Sequence, residues 1–213
     1  MDGTFNLGDL VSGPMEPNWV ADILIDLDVP TVRGNHDRML IDNPPDKLGP
    51  VDKFAQERME GRHRAYMNSL PETLAFMDDV FLCHGTPTSD DDPWLDGWWT
   101  DRTSRQPDEQ EVAAKAEGFD YPVLLCGHTH IPRAVRLRDG RLVVNPGSVG
   151  IQFNIGSPDA RYAIIERRDG KFYPSFYAVP YDHFGAARQA EANGFPQWRS
   201  ALTTGWANAT GLF

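Results

Sequence analysis

The chain has 213 residues and a formal net charge of −11, with 40% hydrophobic and 24% charged residues, which is ordinary for a globular domain able to bury one core. No cluster of Lys and Arg offsets the acidic balance, which argues against a dedicated nucleic-acid surface. No apolar run approaches the ~20 residues of a membrane helix and no basic-then-apolar leader opens the chain, so a single cytoplasmic domain over residues 1–213 is expected.

Residues 4–7 (TFNL) read as a short strand running into Gly8-Asp9. Pro17 opens a helix in which Val20, Ile23, Leu24 and Leu27 recur on one face. Residues 29–32 read as the next strand and end in Gly34-Asn35-His36-Asp37. Strand, helix and strand together imply a parallel pair with a crossover helix. Residues 41–50, with Pro44, Pro45, Gly49 and Pro50, read as loop, and a helical stretch carrying Phe54, Met59 and Tyr66 follows. Residues 74–76 and 80–83 form a hairpin whose second strand ends in His84-Gly85. Residues 86–106 are polar and loop-like but hold Trp94, Trp98 and Trp99. A helix over 107–118 lies between Pro107 and Gly118. The strand at 123–126 ends in Gly127-His128-Thr129-His130.

From there two hairpins are predicted, 134–137 with 142–144 around Asp139-Gly140, and 161–166 with 171–179 around Asp169-Gly170. A short helix at 182–193 and a weakly patterned tail close the chain. Cys83 and Cys126 end apolar runs and read as buried, reduced strand cysteines. His63, in an Arg-rich helical stretch, reads as a solvated surface residue, and His183 as a capping or surface residue.

Four successive strand ends deliver residues of metal-ligand type: Asp9, then Asn35 with His36 and Asp37, then His84, then His128 with His130. Sites in parallel sheets gather outside the carboxyl ends of the strands. Oxygen ligands mixed with imidazoles suit Mn, Fe, Zn or Ni better than Ca. A glycine stands beside each cluster, which permits tight turns and close backbone approach.

The blocks GDLVSGP, RGNHDR, CHGTP, CGHTHIPR and NPGSVG, in that order over residues 4–180, resemble those of the calcineurin-like metallophosphoesterase family, the small bacterial and archaeal phosphodiesterase branch in particular. The resemblance implies an α/β sandwich with mixed central sheets flanked by helices and an antiparallel second sheet. It implies hydrolysis of phosphate esters, diesters foremost, at two divalent ions, with Mn2+ first and Fe, Zn, Ni or Mg as alternatives. Asp9 would bridge both ions, Asn35, His84 and His128 would bind the second, and His130 the first. His36 would donate a proton to the leaving group, and Asp37 would orient it. Asn35 and Arg38 are candidate substrate contacts, a loop salt bridge being the equal alternative for Arg38. The three tryptophans either wall the site or pack the loop, packing being favoured, and the turn at 145–148 is expected to brace the site from beneath.

One block of the family is not seen: a D-x-H pair on a first strand upstream of GD. Only seven residues precede Gly8, and Asp2 is no substitute. The expectation is a fold without its first strand and helix, with four ligands kept at one metal and only Asp9 and His130 at the other. Activity would then be impaired, and exposed sheet edges would invite pairing, including a homo-oligomer. The rival readings are a phosphomonoesterase or nucleotide phosphatase, and a non-catalytic metal-binding or interaction module of the same fold. The later blocks are all intact, which favours the enzyme.

Overall fold

The computed structural model describes residues 3–100, 103–153, 156–207 and 212. In chain order its elements are α1 (Pro17–Leu27), α2 (Asn35–Asp42), a 3-10 turn (Pro45–Lys47), α3 (Pro50–Arg58), α4 (Gly61–Ser69), β1 (Leu74–Phe76), β2 (Val80–Leu82), β3 (Gly97–Thr100) and β4 (Thr103–Arg105). There follow α5 (Glu109–Lys115), β5 (Val123–Leu125), β6 (Arg133–Arg136), β7 (Leu142–Asn145), β8 (Ala160–Arg168), β9 (Lys171–Val179), α6 (His183–Ala192) and α7 (Trp198–Thr204). Asp2 and the side chains of Trp98 and Trp99 lie outside the described residues.

The central sheet is mixed, in the order β1-β2-β5-β7-β6. Its middle strands pair in parallel, Leu82 opposite Leu125 and Leu125 opposite Val144. These strands are apolar on both faces, as parallel strands covered on two sides must be. Alternation splits them cleanly. Phe81, Cys83, Leu124, Cys126 and Val143 face a layer made by α5, Trp94, Leu95 and Leu137. Leu82, Val123, Leu125, Leu142 and Val144 face the opposite way, where Ala163, Ile165 and Phe172 of the β8–β9 hairpin cover them. This hairpin stands apart as its own two-stranded sheet. Asp169 and Gly170 at its tip both have positive φ, the requirement of a tight primed turn.

Helices α1 to α4 build a separate layer around Ala21, Leu40, Ala55, Met59 and Met67. A further core joins α3 to α6 and α7 through Phe54, Ala187, Ala190, Phe195 and Trp198. Cys83 and Cys126 are free and buried. Among the described residues no helix is long and apolar enough to cross a membrane.

Several elements differ from expectation. The strands expected at 4–7 and 29–32 shrink to one parallel bridge, Asn6 with Thr31. Asn6 donates to the Pro30 carbonyl and Val32 donates back to Asn6, and Pro30, having no N–H, ends the ladder there. The GNHD block does not stop in a loop but opens α2, because the Asp37 carboxylate caps the backbone of Gly34. The stretch expected as one helix over the fifties and sixties breaks at Met59-Glu60. His63 is not solvated. It is fully buried, accepts the Glu60 N–H at Nδ1 and reaches Asp22 on α1 through Nε2 at 2.8 Å. A short β3–β4 ladder forms where loop was expected, and the weakly patterned tail contains α7.

Leu124 is fully buried at the centre of the sheet. Leu124→Ala is expected to lower unfolding free energy by about 2–5 kcal/mol, whereas Val149→Ala, at a largely exposed position, should change it by no more than about 0.5 kcal/mol. Urea titration followed by circular dichroism measures both.

Candidate metal centre

Two backbone segments meet first. Gly8 has φ +92°, and a Cβ there would lie 2.5 Å from the Gly34 nitrogen. A Cβ on Gly34 would lie 2.1 Å from Asp9 Oδ1. Only glycines let Gly8-Asp9 and Gly34-Asn35 pack so closely. Asp37 ties the same two segments together. Its Oδ2 accepts from the N–H groups of Asp9 (2.8 Å) and Gly34 (2.9 Å), and its Oδ1 from that of Leu10 (2.9 Å). Asp37, expected to orient His36, is thus committed to the backbone. Burial and the neighbouring Asp9 charge push its carboxyl up from the usual range, while its three N–H partners favour the charged form.

The Asp9 carboxylate is held at the start of α2, where the His36 N–H donates to Oδ1 at 3.0 Å. Its Oδ2 faces His84 Nε2 at 3.0 Å. Burial alone would push the Asp9 carboxyl up, but His84, His36 and His130 hold it well below the usual carboxylate range. His84 follows β2, and its Nδ1–H donates to the Leu7 carbonyl, which leaves Nε2 pointing inward. Asn35 Oδ1 lies 3.1 Å from that Nε2 and 3.2 Å from His128 Nδ1. The Asn35 amide is oriented by Asp91, which accepts from Nδ2 at 3.2 Å.

Asp9, Asn35, His84 and His128 therefore aim a carboxylate oxygen, an amide oxygen and two imidazole nitrogens at one point. The Asp9, His84 and His128 ligand atoms all lie within 4.8 Å of one another. Four lone-pair donors converging in a buried place repel unless a cation lies between them. A proton is one such cation: burial would lower the pKa of His84, yet Asp9 and the Leu7 bond raise it. A divalent ion satisfies all four at once, and one carboxylate, one amide and two imidazoles are a fitting set for a first-row transition metal.

His130 lies outside that group. Its Nδ1 donates to the Ile151 carbonyl at 2.8 Å and its ring stacks on Phe153. Burial drives its pKa down to about 4, with Asp9 opposing and the other histidines adding to the fall. Burial likewise lowers that of His128. Both rings are neutral near neutral pH, the form a metal ligand needs. Among the described non-glycine residues, Asp9, His128 and His130 are three of six with positive φ, a strain of about 1–3 kcal/mol each that concentrates at functional sites. Asn145 braces the loop that carries the two histidines, donating to the Gly127 carbonyl and to Thr129.

Arg38 on α2 does form a salt bridge, bidentate to Asp90 through Nε (2.6 Å) and Nη2 (3.0 Å). Trp94 packs in the core and donates to the Val112 carbonyl. The carboxylate that touches the His36 ring is Asp52 on α3, both of whose oxygens lie 3.0 Å from Nδ1. Burial would lower the His36 pKa, but the Asp52 bond and the charges of Asp9, Asp52 and Asp37 raise it to about 9.

A profile of the calcineurin-like phosphoesterase superfamily domain matches residues 1–170. The chain belongs to this superfamily. Calcineurin-like phosphoesterases are metal-dependent and act on phosphate esters, which agrees with the converging donor set. Among curated proteins, the uncharacterised protein MJ0912 of Methanocaldococcus jannaschii is 25% identical over 91% of this chain and 82% of its own length. A metallophosphoesterase from Sphaerobacter thermophilus superposes with a TM-score of 0.75 at 25% identity, covering 96% of this chain and 89% of that one. The hypothetical protein PH1004 of Pyrococcus horikoshii OT3 shares the fold, with a TM-score of 0.75 at 22% identity over 94% of this chain and 84% of its own.

Two outcomes follow for this donor set. Gly34→Ala forces Asp9 aside and should weaken divalent-metal binding about 10- to 100-fold, read by isothermal titration calorimetry; unchanged affinity would show that the Gly34 contact is not needed. Because Asp9 and the Leu7 carbonyl raise the His84 pKa, protons compete with metal for this ring as pH falls. Affinity should fall as pH falls, and calorimetry in buffers of different ionisation enthalpy should show net proton release.

Proposed function

We propose that the protein hydrolyses phosphate esters, diesters in preference to monoesters, at a metal centre held by Asp9, Asn35, His84 and His128. The observation that supports this most is the convergence of these four donors beside a protonated His36. A bound divalent ion, Mn2+ foremost, supplies Lewis acidity toward a phosphoryl oxygen and toward water. Asn35 contributes a neutral oxygen, so the site stays electropositive enough for an anionic substrate. Asp9, anchored at Oδ1 by the His36 N–H, keeps Oδ2 toward His84 and would supply the carboxylate that holds the ion. With Asp9, His130 is the starting pair of donors for a second ion. His36 holds the proton that the leaving oxygen takes up, a general-acid role. Arg38, with Asp90 occupying one edge of its guanidinium, offers its remaining N–H groups to a phosphate oxygen.

The test uses protein loaded with Mn2+, Fe2+, Zn2+, Ni2+ or Mg2+ and assayed with bis(p-nitrophenyl) phosphate and p-nitrophenyl phosphate. The expected result is Mn2+-dependent turnover, faster on the diester, that falls on the order of 10²-fold or more in His36→Ala without loss of metal. Faster monoester turnover would favour a phosphomonoesterase, and absence of turnover on both esters with any ion would leave a non-catalytic module of this fold.

A further inference from the structure

The loop that leaves His84 carries three consecutive carboxylates, Asp90, Asp91 and Asp92, and each is met by a different side chain. Arg38 donates to Asp90 through Nε at 2.6 Å and Nη2 at 3.0 Å. Asn35 donates to Asp91 at 3.2 Å. Lys115 of α5 pairs with Asp92 at 2.8 Å and donates to the Pro93 carbonyl. The loop is also held from within. The Ser89 hydroxyl accepts the N–H groups of Asp91 and Asp92 at 3.2 Å, and Thr86 and Ser89 form an antiparallel bridge. Asn35 and Arg38 stand three residues apart on α2 and so share a face. The loop therefore lays Asp91 and Asp90 along the face of α2 that carries a candidate metal ligand and a candidate substrate contact.

The charges of this loop and its partners do not balance. Arg38 offsets Asp90 and Lys115 offsets Asp92, while Asp91 meets the neutral amide of Asn35. The Asp91 charge reaches the donor set: burial lowers the His128 pKa, and Asp91 is among the charges that oppose the fall. The Arg38–Asp90 pair is partly open, with side chains 34% and 21% exposed, so a dissolved anion can reach it. Coulomb energy scales with the charge of the ligand. A carboxylate beside a phosphate contact therefore penalises a dianion twice as much as a monoanion. A phosphodiester carries one negative charge, whereas a monoester, whose second pKa is about 6, carries close to two at neutral pH. We propose that Asp90 is a specificity-determining residue of the site: by offsetting the Arg38 charge it tilts binding from dianionic monoesters toward monoanionic diesters, and Asp91 adds to the same tilt. This deepens the proposed function and rests on its reading of Arg38 as a phosphate contact.

Anion binding tests this without turnover. Phenylphosphonate carries two negative charges above its second ionisation, and its monomethyl ester carries one. Isothermal titration calorimetry on Mn2+-loaded protein gives the ratio of their affinities. Asp90→Asn removes the charge and keeps the shape of the side chain, and it should raise dianion affinity relative to monoanion affinity on the order of 10-fold. Arg38→Gln leaves Asp90 uncompensated and should move the ratio the other way, which tests the proposal separately should Asp90→Asn fail to fold. With both changes made, the ratio should return close to that of the wild type. Asp92→Asn, whose partner Lys115 lies on α5, should change the ratio by less than about twofold. An unchanged ratio in folded, metal-loaded Asp90→Asn, or an equal shift in Asp92→Asn, overturns the proposal, as does failure of both anions to bind the wild type.

The kinetic counterpart uses bis(p-nitrophenyl) phosphate and p-nitrophenyl phosphate. Asp90→Asn should narrow the preference for the diester in kcat/KM on the order of 10-fold, carried mainly by KM, with metal content unchanged. A preference equal to that of the wild type overturns the proposal. A wild type inert on both esters sinks the proposed function instead, and the phosphonate ratio then decides the role of Asp90 by itself.

Discussion

The carboxylate of Asp37 joins two chain segments that would otherwise have little reason to meet. By accepting the N–H groups of Asp9, Leu10 and Gly34 it satisfies a turn and a helix start with one buried anion. It also draws Gly8-Asp9 against Gly34 at a separation only glycine tolerates. Every other feature of the site is referred to that junction. Asp9 gains its anchor on the His36 N–H from it, Asn35 and His36 leave it on the first turn of α2, and His84 reaches it through the Leu7 carbonyl.

Around the junction the charges are arranged in two zones. On the inner side, Asp9 faces three imidazoles, two of them kept neutral by burial. On the outer side, Asp52 and Ser12 hold His36, whose pKa is raised. One group of histidines is thereby prepared to donate lone pairs and another to donate a proton, although all share one residue type. Burial alone would make every ring neutral; proximity to a carboxylate separates them.

Much of this was legible in the sequence because the candidate ligands sit beside glycines, His84 and His128 just past β2 and β5, and that pattern survives without knowledge of contacts. The middle strands were legible because they are continuous apolar runs. Asp52 was not, since an acidic residue in the first turn of a helix is usually a dipole partner or a solvated charge, and nothing local marks it as buried. A carboxylate on the face of α3 that also carries Ala55 and Met59 was the signal available. His63 misled for the opposite reason: flanking arginines suggested solvent, while its ring turned inward to bind Asp22. Asp37 adds its charge to the field that keeps His36 protonated, but its oxygens are taken by backbone N–H groups and the ring bonds Asp52 instead. Within α2, neighbouring residues point about 100° apart.

The left-handed backbone at His128 and His130, and the parallel pairing that places them, bear on how the protein reaches its native state. His84 extends β2 and His128 extends β5, two strands distant in sequence that pair side by side, while Asp9 and Asn35 arrive from a different layer. No subset of the chain can assemble the donor set before that long-range sheet has closed, and such non-local closure is the slow part of folding. An ion held by these donors would therefore favour the completed fold over partly folded chains, in proportion to its free concentration.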